Sequence, residues 1–276
     1  MIIGGGVLFV ALFITLLSLG VFGKLPSFEE LENPQSNLAT QILTSDGELL
    51  GRFYRENRTN ASFKEIPPHL IDALVSTEDR RFYEHSGIDA KSIMRVIFKT
   101  ILLRQEESGG GSTLTQQLAK NLYGRPVASN KFQLGLIKFK EWITAAKLER
   151  RYTKEEIIVM YLNTVSYVYD ASGVKTAAKT FFNKPVSQLS VEESAVLVGM
   201  VQNPSYFNPV RFPERCLSRR NLVLGEMHEA GKLNDADYEK AKNTPLQLDF
   251  KRQDHKAGSG TYFREYLRQW LADWVE

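Results

Sequence analysis

Glu78 is the first residue whose placement points to chemistry. A helix drawn through HLIDALVSTEDRRF puts it on one stripe with Ile71, Val75 and Phe82. A carboxylate facing packed protein must be paired, poised for proton transfer or set at the edge of a cleft. Desolvation favours its neutral form, and a neighbouring cation favours the ionised one. The plainer reading pairs Glu78 with Arg80 or Arg81 at a helix end. The same short run, EDRRFYEHSGID at residues 78–89, contains His85. That imidazole either takes part in the chemistry or orders the turn through a hydrogen bond. Lys138 and Glu141 lie three residues apart, which on a helix means one shared cleft or an ordinary surface ion pair. GGGST at 109–113 and the following LTQQLAKN offer Ser112, Thr113, Gln116, Gln117, Lys120 and Asn121 to sugar or diphosphate oxygens. The alternative for the glycines is a flexible hinge. The run lacks the glycine-to-lysine spacing of a P-loop.

The elements that hold these groups are mainly helical. Pro67-Pro68 opens a helical pattern, and Thr153 with Glu156, Ser190 with Glu193 and Asn234 with Asp237 have capping-box spacing. Gly231 is the expected stop of a helix that starts near Pro213. Small β elements flank this core: a hairpin over 39–54 turning at Ser45-Asp46-Gly47, and a short strand over 246–250. No repeat appears, and no composition shift divides residues 60–245.

The chain has 276 residues, 43% of them hydrophobic, and a net charge of +3, which excludes a disordered or collagen-like protein. One cysteine, Cys216, excludes an intrachain disulfide and a thiolate metal cluster. The modest charge and the lack of a reader module argue against nucleic-acid binding. Residues 2–23 carry no charged side chain and are long enough for a helix to cross roughly 30 Å of hydrocarbon. A cleaved signal peptide would want a basic start, so a retained span is expected. A second membrane contact is expected in DAKSIMRVIFKTILLR, residues 89–104, where Lys91, Arg95 and Lys99 recur every four residues. Ile93, Met94, Ile97, Phe98, Ile101 and Leu102 fill the rest of that helix. An ordinary core helix with a solvated basic stripe is the alternative.

Two long motifs then carry a resemblance. EDRRFYEHSGID resembles the first signature of the peptidoglycan glycosyltransferase domain of class A penicillin-binding proteins, and GGSTLTQQLAKNL at 110–122 resembles the second. KFKEWITAAKLERRYTKEEIIVMYLN, residues 138–163, is similar to the third and fourth, and the likeness continues through FFNKPVSQLSVEESAVLVGMVQNPSYFNP and RRNLVLGEM. It covers roughly residues 25–270.

The resemblance implies a mainly α, lysozyme-like glycosyltransferase domain with an N-terminal transmembrane helix. The implied division is an anchor at 1–23, a linker and hairpin at 24–60, the glycosyltransferase domain at 61–245, and at 246–276 the start of a linker toward a missing transpeptidase domain. The implied reaction polymerises lipid II into β-1,4 glycan strands, with inversion and release of undecaprenyl pyrophosphate. Glu78 is the implied general base. Glu141 is the second acidic residue, assisting the pyrophosphate directly or through Mg2+ or Mn2+. Asp79, His85, Ser112, Thr113, Gln116, Gln117, Lys120, Asn121, Lys138, Arg219 and Arg220 are the implied substrate-binding residues.

The implied setting is the bacterial inner membrane, with a single pass and an extracytoplasmic catalytic domain. Implied partners are lipid II, undecaprenyl-pyrophosphate-linked glycan, the membrane and cell-wall synthesis proteins, with moenomycin as an inhibitor. Two departures stand out. Ile137 replaces an arginine next to Lys138, a loss that Lys140, Lys120 or Arg219-Arg220 is expected to offset. Val168 and Asp170 stand where the family often has glycine. No Ser-x-x-Lys site with a later Lys-Thr-Gly is recognisable, so no transpeptidase activity is expected. The competing functions are a glycan-cleaving lysozyme or lytic transglycosylase, and an inactive membrane-tethered glycan-binding scaffold.

Overall fold

A computed structural model of the chain describes residues 40–43, 45–46, 49–53, 57–102, 111–124 and 128–252, with isolated positions between 262 and 270. The expected anchor at 1–23 and two glycines of the GGGST loop lie outside the described residues. Among the described residues, no helix is long and apolar enough to cross a membrane. The chain divides into two compact units. Among the described residues, one unit takes Arg81–Tyr161, inserted in the sequence between the two parts of a host unit, Ser36–Arg80 and Leu162–Glu276.

The host unit opens with strands β1 (Thr40–Leu43) and β2 (Leu49–Phe53), paired antiparallel with Thr40 opposite Phe53. Strand β3 (Asn57–Arg58) runs parallel to β4 (Ala171–Ser172). Helix α1 (Pro68–Glu78) follows, with Pro67 extended at its cap and Pro68 as its first residue. Proline suits that position because its φ is already helical and the N–H it lacks would have had no partner. Leu70, Ala73 and Leu74 of α1 are fully buried.

Helix α1 stops at Glu78, where Asp79 leaves helical geometry with φ −156° and ψ 74°. The apolar stripe drawn from the sequence therefore ends here, because Phe82 sits in a separate 3-10 turn, Phe82–Glu84, of the inserted unit. The two arginines in between show why. Arg80 donates to the Glu229 carbonyl at 2.5 Å within the host unit, whereas Arg81 bonds Asp89 within the inserted unit. Neighbouring cations committed to different units cannot share one helical face.

The inserted unit contains α2 (Ala90–Leu102), α3 (Leu114–Tyr123), α4 (Lys131–Arg151) and the start of α5 (Lys154–Thr164), within which the chain returns to the host unit. Each start is satisfied by a side chain. Asp89 accepts from the Ser92 N–H at 3.0 Å, Thr113 from Gln116 N–H at 3.2 Å and Asn130 from Gln133 N–H at 2.9 Å. Thr153 and Glu156 form the expected reciprocal box. Helix α3 packs on α4, with Leu114, Leu118, Ala145 and Leu148 fully buried. Gly87 makes the entry loop possible. Its φ is +85°, and a Cβ there would lie 2.9 Å from the backbone carbon and oxygen of Ala145.

Back in the host unit come α6 (Val174–Phe182), α7 (Val191–Val201), α8 (Pro213–Glu229) and α9 (Asp235–Asn243). Ser190 and Glu193 cap α7, and every residue from Ser194 to Met200 is buried. A helix covered on all sides is a core helix. Helix α7 packs against α1 and α8, and α8 packs against α1 and α9. Helix α8 closes on Gly231 at φ +70°, where Lys232 N–H returns to the Met227 carbonyl at 2.9 Å. Residues 246–250 form no strand; side chains hold the segment, Asp249 accepting from Asn183 at 2.8 Å and Phe250 packing 4.8 Å from the Tyr169 ring, and the next residue, Lys251, donates its N–H to the Thr180 carbonyl at 2.8 Å. With the end of a helix as its neighbour, the segment meets no ladder to join.

Candidate active site

The host unit places Glu78 as the last residue of α1, its side chain 15% exposed. The cation beside it comes from α8: a terminal nitrogen of Arg219 lies 3.9 Å from Glu78 Oε1. The sequence-based pairing with Arg80 or Arg81 gives way to this one. At 3.9 Å the pair is an ion contact and too long for a hydrogen bond. Arg219 is itself mostly buried, its guanidinium carbon 5.6 Å from the Phe207 ring centroid. A Cβ on Gly199 would lie 3.0 Å from the Arg219 side chain, so a glycine on α7 lets the arginine stem lie close. Burial pulls the Arg219 pKa below the usual arginine value, with Glu78 and Glu226 opposing that pull. Its buried Nε has no hydrogen-bond partner among the described residues. The group is a charge held in place with donor capacity left over.

Asp79 is buried at the C-terminal end of α1, its N–H on the Val75 carbonyl at 3.1 Å. Arg220 faces away from this chemistry. It is almost fully buried and donates to the carbonyls of Lys242 at 2.8 Å and Thr244 at 2.7 Å, tying the segment after α9 to α8. Burial lowers its pKa, with Glu192 opposing.

The inserted unit brings together a second cluster. Lys138 Nζ lies 2.6 Å from Glu141 Oε2 and 3.1 Å from Ser112 Oγ. Glu141 is only 8% exposed, so this is no loose surface pair. Thr113 and Gln116, candidates for substrate contact, are buried and both donate to the Gly87 carbonyl, at 2.8 and 3.0 Å. They pin the loop after His85 to the start of α3. Gln117 accepts from the Tyr161 hydroxyl at 2.9 Å. Lys120 and Asn121 are exposed on α3. His85 Nδ1 accepts from Gly87 N–H at 3.2 Å, the turn-ordering role the sequence allowed. Its carbonyl takes Lys154 Nζ at 2.7 Å, and Lys154 also bonds Glu149 and lies 4.2 Å from the Phe82 ring centroid. Nothing in the residue pattern marked Lys154 or Tyr161 as supports, because His85 and Gln117, the partners they support, lie 69 and 44 residues away in sequence.

A bound Mg2+ or Mn2+ would need several oxygen ligands. Glu141 brings one carboxylate with an ammonium already 2.6 Å away. The Asp89 carboxyl is taken by Ser92 and Arg81: burial alone would raise its pKa, but those bonds hold it well below the usual range. The described residues of this unit do not fit a resident divalent ion at Glu141.

On helix α2, Met94 and Phe98 are 65% and 57% exposed, one turn apart, with Lys91 and Arg95 also exposed. Ile93 is half-buried, and the side chains of Ile97, Ile101 and Leu102 lie outside the described residues.

Residues 46–228 match the family model described as Transglycosylase, and the chain belongs to that family. Its relatives are penicillin-binding proteins. Penicillin-binding protein 1A of Escherichia coli (strain K12) is 34% identical over 246 residues, covering 89% of this chain and 28% of its own length. Penicillin-binding protein 1A of Aquifex aeolicus (strain VF5) is 36% identical over 264 residues, covering 95% and 35%. Penicillin-binding protein 1F of Bacillus subtilis (strain 168) is 37% identical over 231 residues, covering 84% and 32%. The chain thus spans about a third of the length of these curated relatives.

Proposed function

We propose that this chain polymerises lipid II into β-1,4 glycan strands at a bacterial inner membrane, releasing undecaprenyl pyrophosphate. The observation that carries the reading is Glu78, a poorly exposed carboxylate at a helix end with the Arg219 guanidinium 3.9 Å away, in a chain of the transglycosylase family. Glu78 takes the proton from the acceptor 4-hydroxyl. That oxygen bonds to the donor anomeric carbon, and the bond from this carbon to the phosphate oxygen breaks, its electron pair leaving with the diphosphate. A single displacement inverts the donor configuration.

The Glu78–Arg219 contact, too long for a hydrogen bond, suits a base that must exchange its partner during the reaction. Lys138 supplies charge for the diphosphate. Among the described residues, Glu141 and Ser112 take two of its three N–H groups, and the third serves a phosphate oxygen. Glu141 holds the ammonium in place. Thr113, Gln116 and His85 shape the loop that Gly87 turns, while Gln117, held by Tyr161, and the exposed Lys120 and Asn121 make sugar or phosphate contacts. Met94 and Phe98 meet the outer leaflet, so that the lipid tail stays in the membrane, and residues 2–23 anchor the chain.

The test is turnover of purified lipid II in detergent or liposomes. Strands degradable by muramidase are expected from the parent chain and almost none from Glu78→Gln. Hydrolysis of preformed peptidoglycan without polymerisation would overturn the proposal.

A further inference from the structure

Helix α8 carries a second arginine one turn before Arg219. Arg215 has its guanidinium carbon 4.5 Å from the Tyr206 ring centroid and 4.6 Å from that of Phe212. Tyr206 and Phe207 are neighbours at 5.0 Å with perpendicular rings, so consecutive aromatics each carry an arginine of the same helix face. Arg215 is exposed, and Tyr206 is 49% exposed. Among the described residues, no carboxylate lies within ion-pair range of Arg215.

Two rings this close restrain the guanidinium, and an arginine held against aromatic rings keeps N–H groups that suit a bidentate carboxylate. Without a ligand, a lone arginine on the surface would gain little from such a clamp beyond the stacking itself. Four residues along a helix span about 6 Å. Arg215 is therefore one step out from Arg219, which is itself 3.9 Å from Glu78.

We propose that Arg215, clamped by Tyr206 and Phe212, is a subsite for a carboxylate of the peptide stem on the glycan substrate. The inference rests on the reading of Glu78 as the base that meets the acceptor hydroxyl. On lipid II that hydroxyl belongs to the outer sugar, and the peptide stem hangs from the next sugar, one step away. The exposed remainder of the Tyr206 ring gives the apolar face of a sugar something to pack on. The same sugar also bears the diphosphate, and a guanidinium fork matches either group, so a sugar diphosphate is set beside the disaccharide-peptide in the test.

The test uses the full chain and needs no turnover. A soluble disaccharide-peptide without diphosphate is titrated by calorimetry or NMR into the parent and into Arg215→Gln, and the same compound with its stem carboxyls amidated is titrated in parallel. Arg215→Gln is expected to weaken the unmodified compound about tenfold, as suits loss of a charge-assisted pair. Amidation should weaken the parent equally and add nothing further in Arg215→Gln. Arg215→Lys, which keeps the charge and loses the fork, should recover only part of the affinity. A melting temperature unchanged from the parent shows that the variants fold. Equal binding of the disaccharide-peptide by parent and Arg215→Gln overturns the proposal. So does an Arg215-dependent affinity for a sugar diphosphate that lacks the peptide, with none for the disaccharide-peptide. Failure of the parent chain to polymerise lipid II in the turnover assay, together with Arg215-dependent binding of the disaccharide-peptide, would overturn the catalytic reading and support the subsite.

Discussion

Two glycines of the inserted unit should answer the same substitution with opposite signs. Gly87→Ala puts a methyl where φ is +85° and where backbone atoms of Ala145 stand 2.9 Å away. The left-handed backbone costs an L-residue about 1–2 kcal/mol. The clash adds about 1–3 kcal/mol, because a helix backbone cannot rotate aside as a side chain can. Reduced freedom of the unfolded chain returns about 0.4–1 kcal/mol. The net loss is roughly 2–4 kcal/mol, a fall in melting temperature of about 5–15 °C at about 2–4 °C per kcal/mol. Gly135 lies inside α4 with nothing within 4 Å of its would-be Cβ, so Gly135→Ala should raise stability by about 0.5–1 kcal/mol. Calorimetric or circular-dichroism melts of the two variants decide the matter. A Gly87→Ala melt within about 2 °C of the parent would refute the close approach of loop and α4, on a scale of about 2–4 °C per kcal/mol. Lipid II turnover should fall in the same variant, since the Gly87 carbonyl is where Thr113 and Gln116 converge, and Ala145 lies one helical turn beyond Glu141.

Asn163→Leu should cost about 2–4 kcal/mol in chemical denaturation, because it leaves the buried Ala61 N–H and carbonyl without the amide that serves both. Lys175→Met tests a titration. The Lys175 bond, then the Ser62 N–H, hold the Glu65 carboxyl at about 2, below its ordinary 4.5. Stability from a depressed carboxyl is fully present above the unfolded value and is lost as pH falls through the folded one. The pair is a third or more exposed, so the gap between parent and variant should be no more than about 1 kcal/mol at neutral pH. In urea titrations that gap should begin to shrink near pH 4.5 and close near pH 2. A constant gap down to pH 2 would mean that the lysine stem, and not its charge, is what matters.

The parts of this molecule legible in the sequence are those set by neighbours in the chain. The caps at Thr153, Ser190 and Asn234 and the stop at Gly231 needed only three or four residues of context, and all are present. The Lys138–Glu141 pair was legible for the same reason. What escaped depends on distant partners. Glu78 finds its cation on α8 and not in the adjacent Arg80-Arg81, since those two guanidinium groups are drawn to Glu229 and Asp89. Thr113 and Gln116 read as ligands because exposed hydroxyl and amide groups bind sugars. Burial turns the same groups inward onto Gly87. The departure at Asp170 has a visible backbone reason. Tyr169 and Asp170 adopt φ of 63° and 60°, the left-handed region where glycine costs least. Here Asp170 is held by Arg252 at 3.0 Å, and Tyr169 packs 4.8 Å from the Phe250 ring.

The insertion of one unit inside the other sets a schedule for synthesis. Helix α1 is made early, yet the helices that pack against it, α7 and α8, begin only at Val191 and Pro213. At about 5–20 residues per second, the apolar face of α1 waits on the order of ten seconds for its first partner. The inserted unit, emerging whole in that interval, is free to fold before the host unit can close. Slowing translation between residues 162 and 190 should therefore lengthen the exposure of one short helix and leave the insert itself untouched.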